Sequence, residues 1–421
     1  MNIAIVGTGY VGLPTGVGFA KLGHSVICVD VDKAKVDRIN SGEPVIHEEG
    51  LEELLKEVLG KRFSVTTDLQ KALSSSDVVF VCVGTPSNED GSTDLTYIEK
   101  VAEDIGSFLK TSDRYTLVVV RSTVPPGTTN RLVKSMEVVS NKNLGKNFGI
   151  AMIPEFLREG VAVKDFFNPD RVVIGVNTDK DFETLESLFS DLKAPIFRTN
   201  PTTAEMIKYA SNSFLAAKVS MINEIGNICK QLGIDVYDVS KGVGMDSRIG
   251  EKFLQAGIGF GGSCFPKDVK SLVHTSKSVG YEPKLLEEIL QLNERQPLHV
   301  IRYAKKHGDL KGKRVTVLGL AFKGGTDDVR ESRALILVKE FVRLGSIVNV
   351  YDPKAMDNAR HILGNSVNYC KSSKDAMERS ELCIIATDWD EFKDHKLYNN
   401  VRVIDGRNVV RLDKNYEGVC W

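Results

Sequence analysis

A lone thiol behind a run of glycines is the feature of this chain most apt for chemistry. Residues 257–268 read GIGFGGSCFPKD, in which Gly257, Gly259, Gly261 and Gly262 lead to Cys264 and then to Pro266, Lys267 and Asp268. Glycine backbone reaches φ > 0 without strain and admits a ligand closely, whereas packing a thiol needs neither property. The stretch therefore reads as built for a molecule that visits Cys264. On local sequence alone, a glycine-rich hairpin with an incidental cysteine is the alternative. The PKDVKSLV that follows looks helical, and a helix N-terminus favours thiolate. A second candidate pair lies upstream. From about Thr202 to Gln231, the residues Ile207, Ala210, Phe214, Ala217, Met221, Ile225 and Ile228 recur at three- and four-residue steps, which predicts a long helix. Lys208 and Asn212 stack at i and i+4 roughly opposite that stripe, on a face continued by Leu215, Ala216 and Val219. The helix is thus expected to be covered on both sides. Lysine is rarely buried without a partner, and a Lys/Asn pair facing a site supplies two donors to one developing negative charge. The alternative is a lysine that snorkels to solvent.

Those groups need elements to hold them. The N-terminal NIAIVGTGYVG is a short apolar strand followed by Gly7, Gly9 and Gly12 at GxGxxG spacing, opening a helix with Pro14 in its first turn. A second strand, SVICVD, ends in Asp30, near the ~20-residue distance at which a carboxylate accepts ribose hydroxyls. The glycines would bring backbone up to a pyrophosphate at a helix N-terminus, and the aspartate repels a 2′-phosphate, so NAD is expected rather than NADP. A βαβ unit without a ligand is the alternative. Three further strand-like runs stop in polar residues: DVVFVCVG at Thr85, TLVVV at RSTVPPGTT with Thr123, and FGIAMI at PEFLREG with Glu155 and Glu159. Ligands on parallel α/β sheets bind beyond the carboxyl ends of the strands, which places these four toward the nicotinamide end and whatever is oxidised; Thr123 and Glu159 also suit a helix cap and first turn. After a polar helical stretch at 284–307, RVTVLGLAFK, IVNVYDP, ELCIIATDW and VRVIDGR read as four strands of a second α/β domain, where Gly319 is followed by LAFKGG and no dinucleotide fingerprint. Lys323, Arg330 and Arg407 lie where its strands end. Cations there suit a phosphorylated ligand without a nicotinamide half, or are solvated surface charge. The expected fold is α/β, two Rossmann-like doubly wound domains joined by a long central helix.

Composition narrows the class of partner. The chain has 421 residues, 42% hydrophobic and 26% charged, with a formal net charge of −1, so nothing electrostatic argues for nucleic acid or an anionic membrane. No apolar run reaches the ~18–20 residues of a spanning helix, and the N-terminus opens on a strand with no basic leader or cleavage site. Seven cysteines show no CxxC spacing and no Cys/His cluster, which speaks against structural zinc; Cys28, Cys82 and Cys383 sit in apolar runs as buried free thiols. A cytoplasmic, metal-free protein is the expectation.

GTGYVG, STVPPGTT, PEFLREG, EMIKYASNSFLA, RIG, GFGGSCFPKD and FKGGTDDVRES occur in the order seen in nucleotide-sugar 6-dehydrogenases, and the chain resembles that family essentially end to end. The resemblance implies NAD-dependent oxidation of a sugar's C6 alcohol to a carboxylate in two hydride transfers. Cys264 would attack the C6 aldehyde, giving a thiohemiacetal and then a thioester that water opens, with the glycines letting the sugar lie beside the sulfur. Lys208 and Asn212 would stabilise the oxyanion, Glu155 and Asp268 would handle protons and the hydrolytic water, and Thr123 would help to hold that water. Val11, Asp30, Lys35, Thr85, Thr123, Glu159, Lys267 and Arg330 would serve NAD beside the three glycines. Glu155, Phe156, Leu157, Arg158, Glu159, Lys208, Asn212, Phe253, Leu254, Gln255, Ala256, Gly257, Gly261, Lys323 and Arg407 would line the sugar nucleotide, UDP-glucose first, with GDP-mannose or a UDP-N-acetylhexosamine as alternatives. The acetylhexosamine branch typically has His before the cysteine and IPVDP after it, where this chain has Ser263 and FPKD. Many members carry Pro in place of Ile258 and some Tyr in place of Phe253, a substitution that removes a phosphate hydrogen bond. Arg248 would reach the neighbouring subunit's sugar in a homodimer or higher oligomer, an ordinary surface arginine being the alternative. The implied division is 1–200 for NAD, 201–300 for the helical part with the cysteine loop, and 301–421 for the UDP-sugar.

Overall fold

A computed structural model of the chain describes residues 1–399 and 401–421. Its backbone forms two compact units, Met1–Ala210 and Ser211–Trp421. In the first, strands β1 (Asn2–Val6), β2 (Ser25–Val29), β3 (Phe63–Thr66), β4 (Val78–Val81), β5 (Thr116–Val120), β6 (Phe148–Met152), β7 (Val172–Val176) and β8 (Ile196–Thr199) make one sheet in the order β3-β2-β1-β4-β5-β6-β7-β8. The first six are parallel, in the doubly wound order whose switch point falls between β1 and β4; β7 turns antiparallel to β6. Strands buried on both faces read as unbroken apolar runs, and β5 shows how the faces divide. Leu117 and Val119 pack with Leu13 and Val17 of the helix Gly12–Lys21, while Val118 and Val120 pack with Ile98, Ile105 and Met136. Three strands escape the sequence reading. β3 and β8 are four-residue edges: in β3 the alternation of buried Phe63 and Val65 with Ser64 and Thr66 is too brief to mark a strand, and β8 buries none of its side chains fully; β7 is a full apolar run that stands outside the parallel order.

The second unit carries an all-parallel sheet of β9 (Arg314–Leu318), β10 (Ile347–Tyr351), β11 (Asn368–Tyr369), β12 (Leu382–Ile385), β13 (Arg402–Asp405) and β14 (Tyr416–Gly418), in the order β11-β10-β9-β12-β13-β14. Its four long strands are those legible in sequence; β11 and β14 are too short to leave a pattern. Among the described residues no helix is long and apolar enough to cross a membrane.

The helix Pro201–Leu232 begins in the first unit and ends in the second. Its buried face includes Glu205, Lys208, Tyr209, Asn212, Ala216 and Asn223, so the polar pair does lie on a covered face. The expectation that the apolar stripe is covered too does not hold for the single chain. Phe214 is 74% exposed, Met221 58% and Ile228 56%. The three are spaced by seven, two turns of helix, and the chain folds nothing over them.

Within the first unit, Glu205 ties this helix to the loop that follows β5. Its fully buried carboxylate accepts the Thr129 N–H and Oγ1–H at 2.6 Å each, and the Gly127 N–H, at the start of the helix Thr128–Ser140. Burial pushes this carboxyl above its usual range against those hydrogen bonds. Glu205→Ala would orphan buried donors at a helix N-terminus, and a loss of about 1–3 kcal/mol is expected. A lowered urea midpoint with unchanged slope checks it.

Candidate active site

The dinucleotide loop is built from close approach. Gly7, at φ +101°, donates to Val29 O at 2.7 Å, and a Cβ on Gly12 would drive into the Gly7 carbonyl, whereas a Cβ on Gly9 would meet open space. Val11 precedes the helix Gly12–Lys21 without a side-chain cap; Leu13 N already donates to Gly9 O and Pro14 has no N–H, so of the first three residues Gly12 supplies the N–H for a ligand anion. Asp30 follows β2. Its Oδ2 accepts from Thr8 N (3.0 Å) and Thr8 Oγ1 (2.6 Å), and its Oδ1 from Asp32 N (3.0 Å). Partial burial pushes its pKa up, but those hydrogen bonds and the charge of Lys35 prevail and hold it below the usual carboxylate range. An ionised acceptor at the end of β2, an open glycine and an uncapped helix start fit the adenosine half and pyrophosphate of NAD.

Beyond the carboxyl ends of β4 and β5, Thr85 Oγ1 donates to Thr123 O (2.8 Å) and Ser122 Oγ to Val83 O (2.7 Å), zipping the two segments together. The PEFLREG loop after β6 is held just as firmly. Leu157 N donates to Glu155 Oε2 at 2.7 Å, Arg158 grips Asp165 through both Nε and Nη2, and the buried Glu48 accepts Gly160 N and Ala162 N at 2.8 and 2.9 Å. Glu48 goes unnoticed in sequence, where nothing separates it from its exposed neighbour Glu49. From the long helix, Lys208 Nζ reaches Glu155 Oε1 at 2.8 Å, and the two side chains are 4% and 5% exposed. Lys208 does not snorkel. Burial pushes the Glu155 carboxyl up, but the Lys208 charge and hydrogen bond, the Leu157 N–H and the charge of Arg121 outweigh it and bring it below the usual range. The Phe156 ring lies 5.5 Å from Lys208 Nζ and 3.9 Å from the Arg171 guanidinium.

In the second unit, Asn212 Nδ2 donates to Asp268 Oδ2 and Lys267 Nζ to Asp268 Oδ1, each at 2.6 Å, while Asp268 N reaches Cys264 O at 2.8 Å. Cys264 sits at the N-cap of the helix Phe265–Ser278, partly exposed, with Sγ 3.4 Å from Ser263 Oγ. Cys28, Cys82 and Cys383 are buried, and burial raises all three thiols, Cys82 to about 12. The partly exposed thiol at a helix start is the one suited to react.

The glycines before it have a reason that sequence does not reveal. A Cβ on Gly257 would strike the Gly406 carbonyl, one on Gly259 would come to 2.5 Å from Asn293 Oδ1, one on Gly261 would strike the Glu331 carbonyl, and one on Gly262 would come to 2.9 Å from the Phe322 ring. The chain's own second unit occupies these approaches. The backbone of this segment is held at several points: Gly257 N donates to Asn223 Oδ1, Gln296 Nε2 to Gly257 O, Ile258 N to Gly406 O, Gly262 N to Arg330 O, and Asn293 bonds both N–H and C=O of Phe260. Arg407 is half-buried and donates to Ala386 O, Gly259 O and Phe322 O at 3.0–3.1 Å, so it braces this loop. Phe253 stands at φ +64°, unusual for a bulky side chain, with its ring 6.1 Å from that of Phe265. In the same segment Tyr237 Oη donates to Ala256 O, Leu254 is buried and Gln255 exposed. Lys323 lies 5.7 Å from the Phe322 ring centroid, Arg330 is forked onto Asp328, and Arg248 is exposed and forked onto Asp246.

The second sheet repeats the first with one difference. Gly319 donates to Tyr351 O at 2.8 Å as Gly7 does to Val29 O, and Asp352 follows β10 as Asp30 follows β2. Yet Asp352 is buried and accepts from Leu320, Ala321, Lys354 and Ala355 N–H groups and from Trp389 Nε1. It has nothing left for a ribose.

The open dinucleotide crevice of the first sheet is that of an NAD-dependent dehydrogenase. The chain belongs to the UDP-glucose/GDP-mannose dehydrogenase family, whose NAD binding domain matches residues 1–193, central domain 202–295 and UDP binding domain 316–412. It is similar to the UDP-glucose 6-dehydrogenase TuaD of Bacillus subtilis, 44% identical over 98% of this chain and 90% of that one, and to AglM of Haloferax volcanii, 43% identical over the whole of both. A UDP-glucose dehydrogenase structure from Pyrobaculum islandicum matches with a TM-score of 0.95 at 42% identity, covering 100% of this chain and 97% of that one.

Because Asp30 stays ionised, a 2′-phosphate would meet like charge in a partly desolvated crevice. NADP is expected to show kcat/KM lower than NAD by more than ~10-fold, and equal values in side-by-side assays would contradict the role given to Asp30.

Proposed function

We propose that the chain oxidises UDP-glucose to UDP-glucuronate with NAD, the observation that carries this being the partly exposed Cys264 thiol at a helix N-terminus, four residues before the clamped Asp268. Residues 1–200 hold the cofactor, 201–300 the central helix and cysteine loop, and 301–421 the UDP moiety through cations such as Lys323 and Arg407; the three family domains on this chain support that division. Bound NAD supplies the hydride acceptor for each oxidation. Loss of hydride from C6 and of the hydroxyl proton gives the aldehyde, and Lys208 and Asn212 are the donors for the oxygen that carries the developing charge. The Cys264 thiolate adds to the aldehyde carbon, forming a C–S bond and a thiohemiacetal. A second hydride leaves that carbon and the hydroxyl proton departs, giving the thioester. Water, held by Thr123 and deprotonated with the help of Glu155 or Asp268, opens it and returns the thiol. Holding the aldehyde covalently keeps it from escaping between oxidations. About two NADH per sugar are therefore expected, with UDP-glucuronate as product, and free aldehyde from the wild type would sink the covalent route. Cys264→Ser should stall turnover in the second half with NAD binding intact, because a serine hydroxyl is far less acidic than a thiol; near-normal steady-state turnover would reject the role. Assays beside GDP-mannose and UDP-N-acetylglucosamine test the sugar nucleotide.

The reading includes a homodimer in the cytoplasm. Phe214, Met221 and Ile228 supply an exposed apolar stripe that a second copy would cover, and the exposed Arg248 is free of its own core to reach across a two-fold axis. Mixing inactive Arg248→Ala with inactive Cys264→Ala, then dissociating and reassociating them, should restore activity, since hybrid dimers contain one intact site. No recovery in proven hybrids would confine Arg248 to its own subunit.

A further inference from the structure

Glu331 has no role in the chemistry above, yet its backbone takes a conformation that long side chains rarely adopt. It lies between β9 and the helix Arg333–Arg343 at φ +51°, in the left-handed region that favours glycine. Such strain persists where the surroundings over-determine it, and Glu331 is held through carbonyl and carboxylate alike. Its carbonyl faces Gly261, where a Cβ would come to 2.4 Å, and accepts from Arg333 Nε at 3.1 Å. The carbonyl of the preceding Arg330 takes the Gly262 N–H at 2.9 Å. The carboxylate is divided: Oε1 accepts from Lys270 Nζ at 2.9 Å and Oε2 from Arg333 Nη2 at 2.8 Å. Arg333 is 1% exposed, and a buried guanidinium needs anions. Its Nη1 reaches Glu294 Oε1 at 2.9 Å, and a Cβ on Gly259 would lie 3.4 Å from its Cγ.

These contacts bracket Cys264. Ahead of the thiol, residues 330, 331 and 333 back three of its glycines; behind it, Lys270 sits on the helix Phe265–Ser278 that Cys264 begins. The segment that carries Glu331 also carries Lys323, and it is closed on itself by Ser332 Oγ donating to Leu320 O at 2.7 Å and Phe322 N to Asp328 O at 3.0 Å. Covalent structure fixes how far C6 of a nucleotide sugar lies from its phosphates, so thiol and phosphate cation must stand at a matching separation. We propose that Glu331 is a positioning residue for the covalent step: its left-handed backbone against Gly261 and its carboxylate shared between Lys270 and Arg333 fix the Cys264 loop to the segment of Lys323, so that the thiol meets C6. This rests on the roles given to Cys264 and Lys323 under Proposed function. In that step the thiolate adds to the aldehyde carbon, the carbonyl electron pair moves to oxygen, and a proton joins it. Lys270 and Glu331 are both partly exposed, and such a pair adds little to folding stability. What it contributes is location.

The test uses the full-length protein as wild type, Cys264→Ser, Glu331→Gln, Lys270→Met and Lys270→Arg. UDP-glucose and NAD are supplied with excess semicarbazide, which traps free aldehyde, and NADH formed per sugar consumed is counted. KM, kcat and the thermal midpoint are measured alongside. In Glu331→Gln and Lys270→Met a displaced thiol should let aldehyde escape, so NADH per sugar should fall from about two toward one and trapped aldehyde should appear. Formation of UDP-glucuronate should slow by ~10-fold with KM for both substrates little changed. Lys270→Arg should restore the wild-type partition. A merely structural role would lower the thermal midpoint and leave the partition alone. Wild-type NADH yield and no trapped aldehyde in folded Glu331→Gln and Lys270→Met overturn the proposal. Should Glu331→Gln not fold, Lys270→Met, altered at a partly exposed side chain, is read the same way. If the wild type itself releases aldehyde, or Cys264→Ser keeps near-normal turnover, the covalent reading under Proposed function fails instead, and those two controls keep the failures apart.

Discussion

Removing Lys208 and Glu155 from water together is the constraint on which much of the first unit depends. A buried ion pair is tolerated only when geometry and further hydrogen bonds repay desolvation, and losing one partner costs about 3–5 kcal/mol because the other charge stays buried. The surroundings are arranged to that end. Glu48 and Asp165 fix the loop that carries Glu155, and Glu205 fixes the helix that carries Lys208. Such a pair is a poor device for stability alone, since apolar residues of similar volume often do as well. Its retention makes sense if the lysine's charge is to be lent to a substrate.

The second unit solves a different problem. The residues before Cys264 are held in place by side-chain amides of Asn223, Asn293 and Gln296 and by the Gly406 and Arg330 carbonyls, and a nucleophile proposed there would lose effective concentration on a mobile loop. The glycines are there because any Cβ would collide with the protein itself. Flexible composition has produced a rigid segment.

Much of this was legible in the residues. Long buried strands and the amphipathic helix show in periodicity because burial on both faces demands apolar runs and a single covered face demands spacing. Asp30, Lys208, Asn212 and Cys264 stood out because each is a polar type in a place where the pattern calls for something else. Arg333 carried the same signal, a charge set against an apolar run, but it reads as the first residue of a helix until its burial is known. Glu48, Asn293 and Gln296 act through partners far away in sequence, and no local pattern encodes that. The exposed stripe of Phe214, Met221 and Ile228 marks the limit in the other direction: apolar spacing records that a face is covered, without recording whether by the same chain.

Asp352 sets a limit on how alike the two halves of this molecule can be made. The chain carries the same architectural plan twice, and the common expectation would be that grafting GxGxxG after β9 converts the second copy into a working dinucleotide domain. It would not. The acceptor that would greet a ribose has been drafted into the hinge of its own sheet by four amides and an indole, so an engineer would first have to give those donors another home. What separates the two copies is thus less the glycines that one of them lacks than the bonds its aspartate already makes.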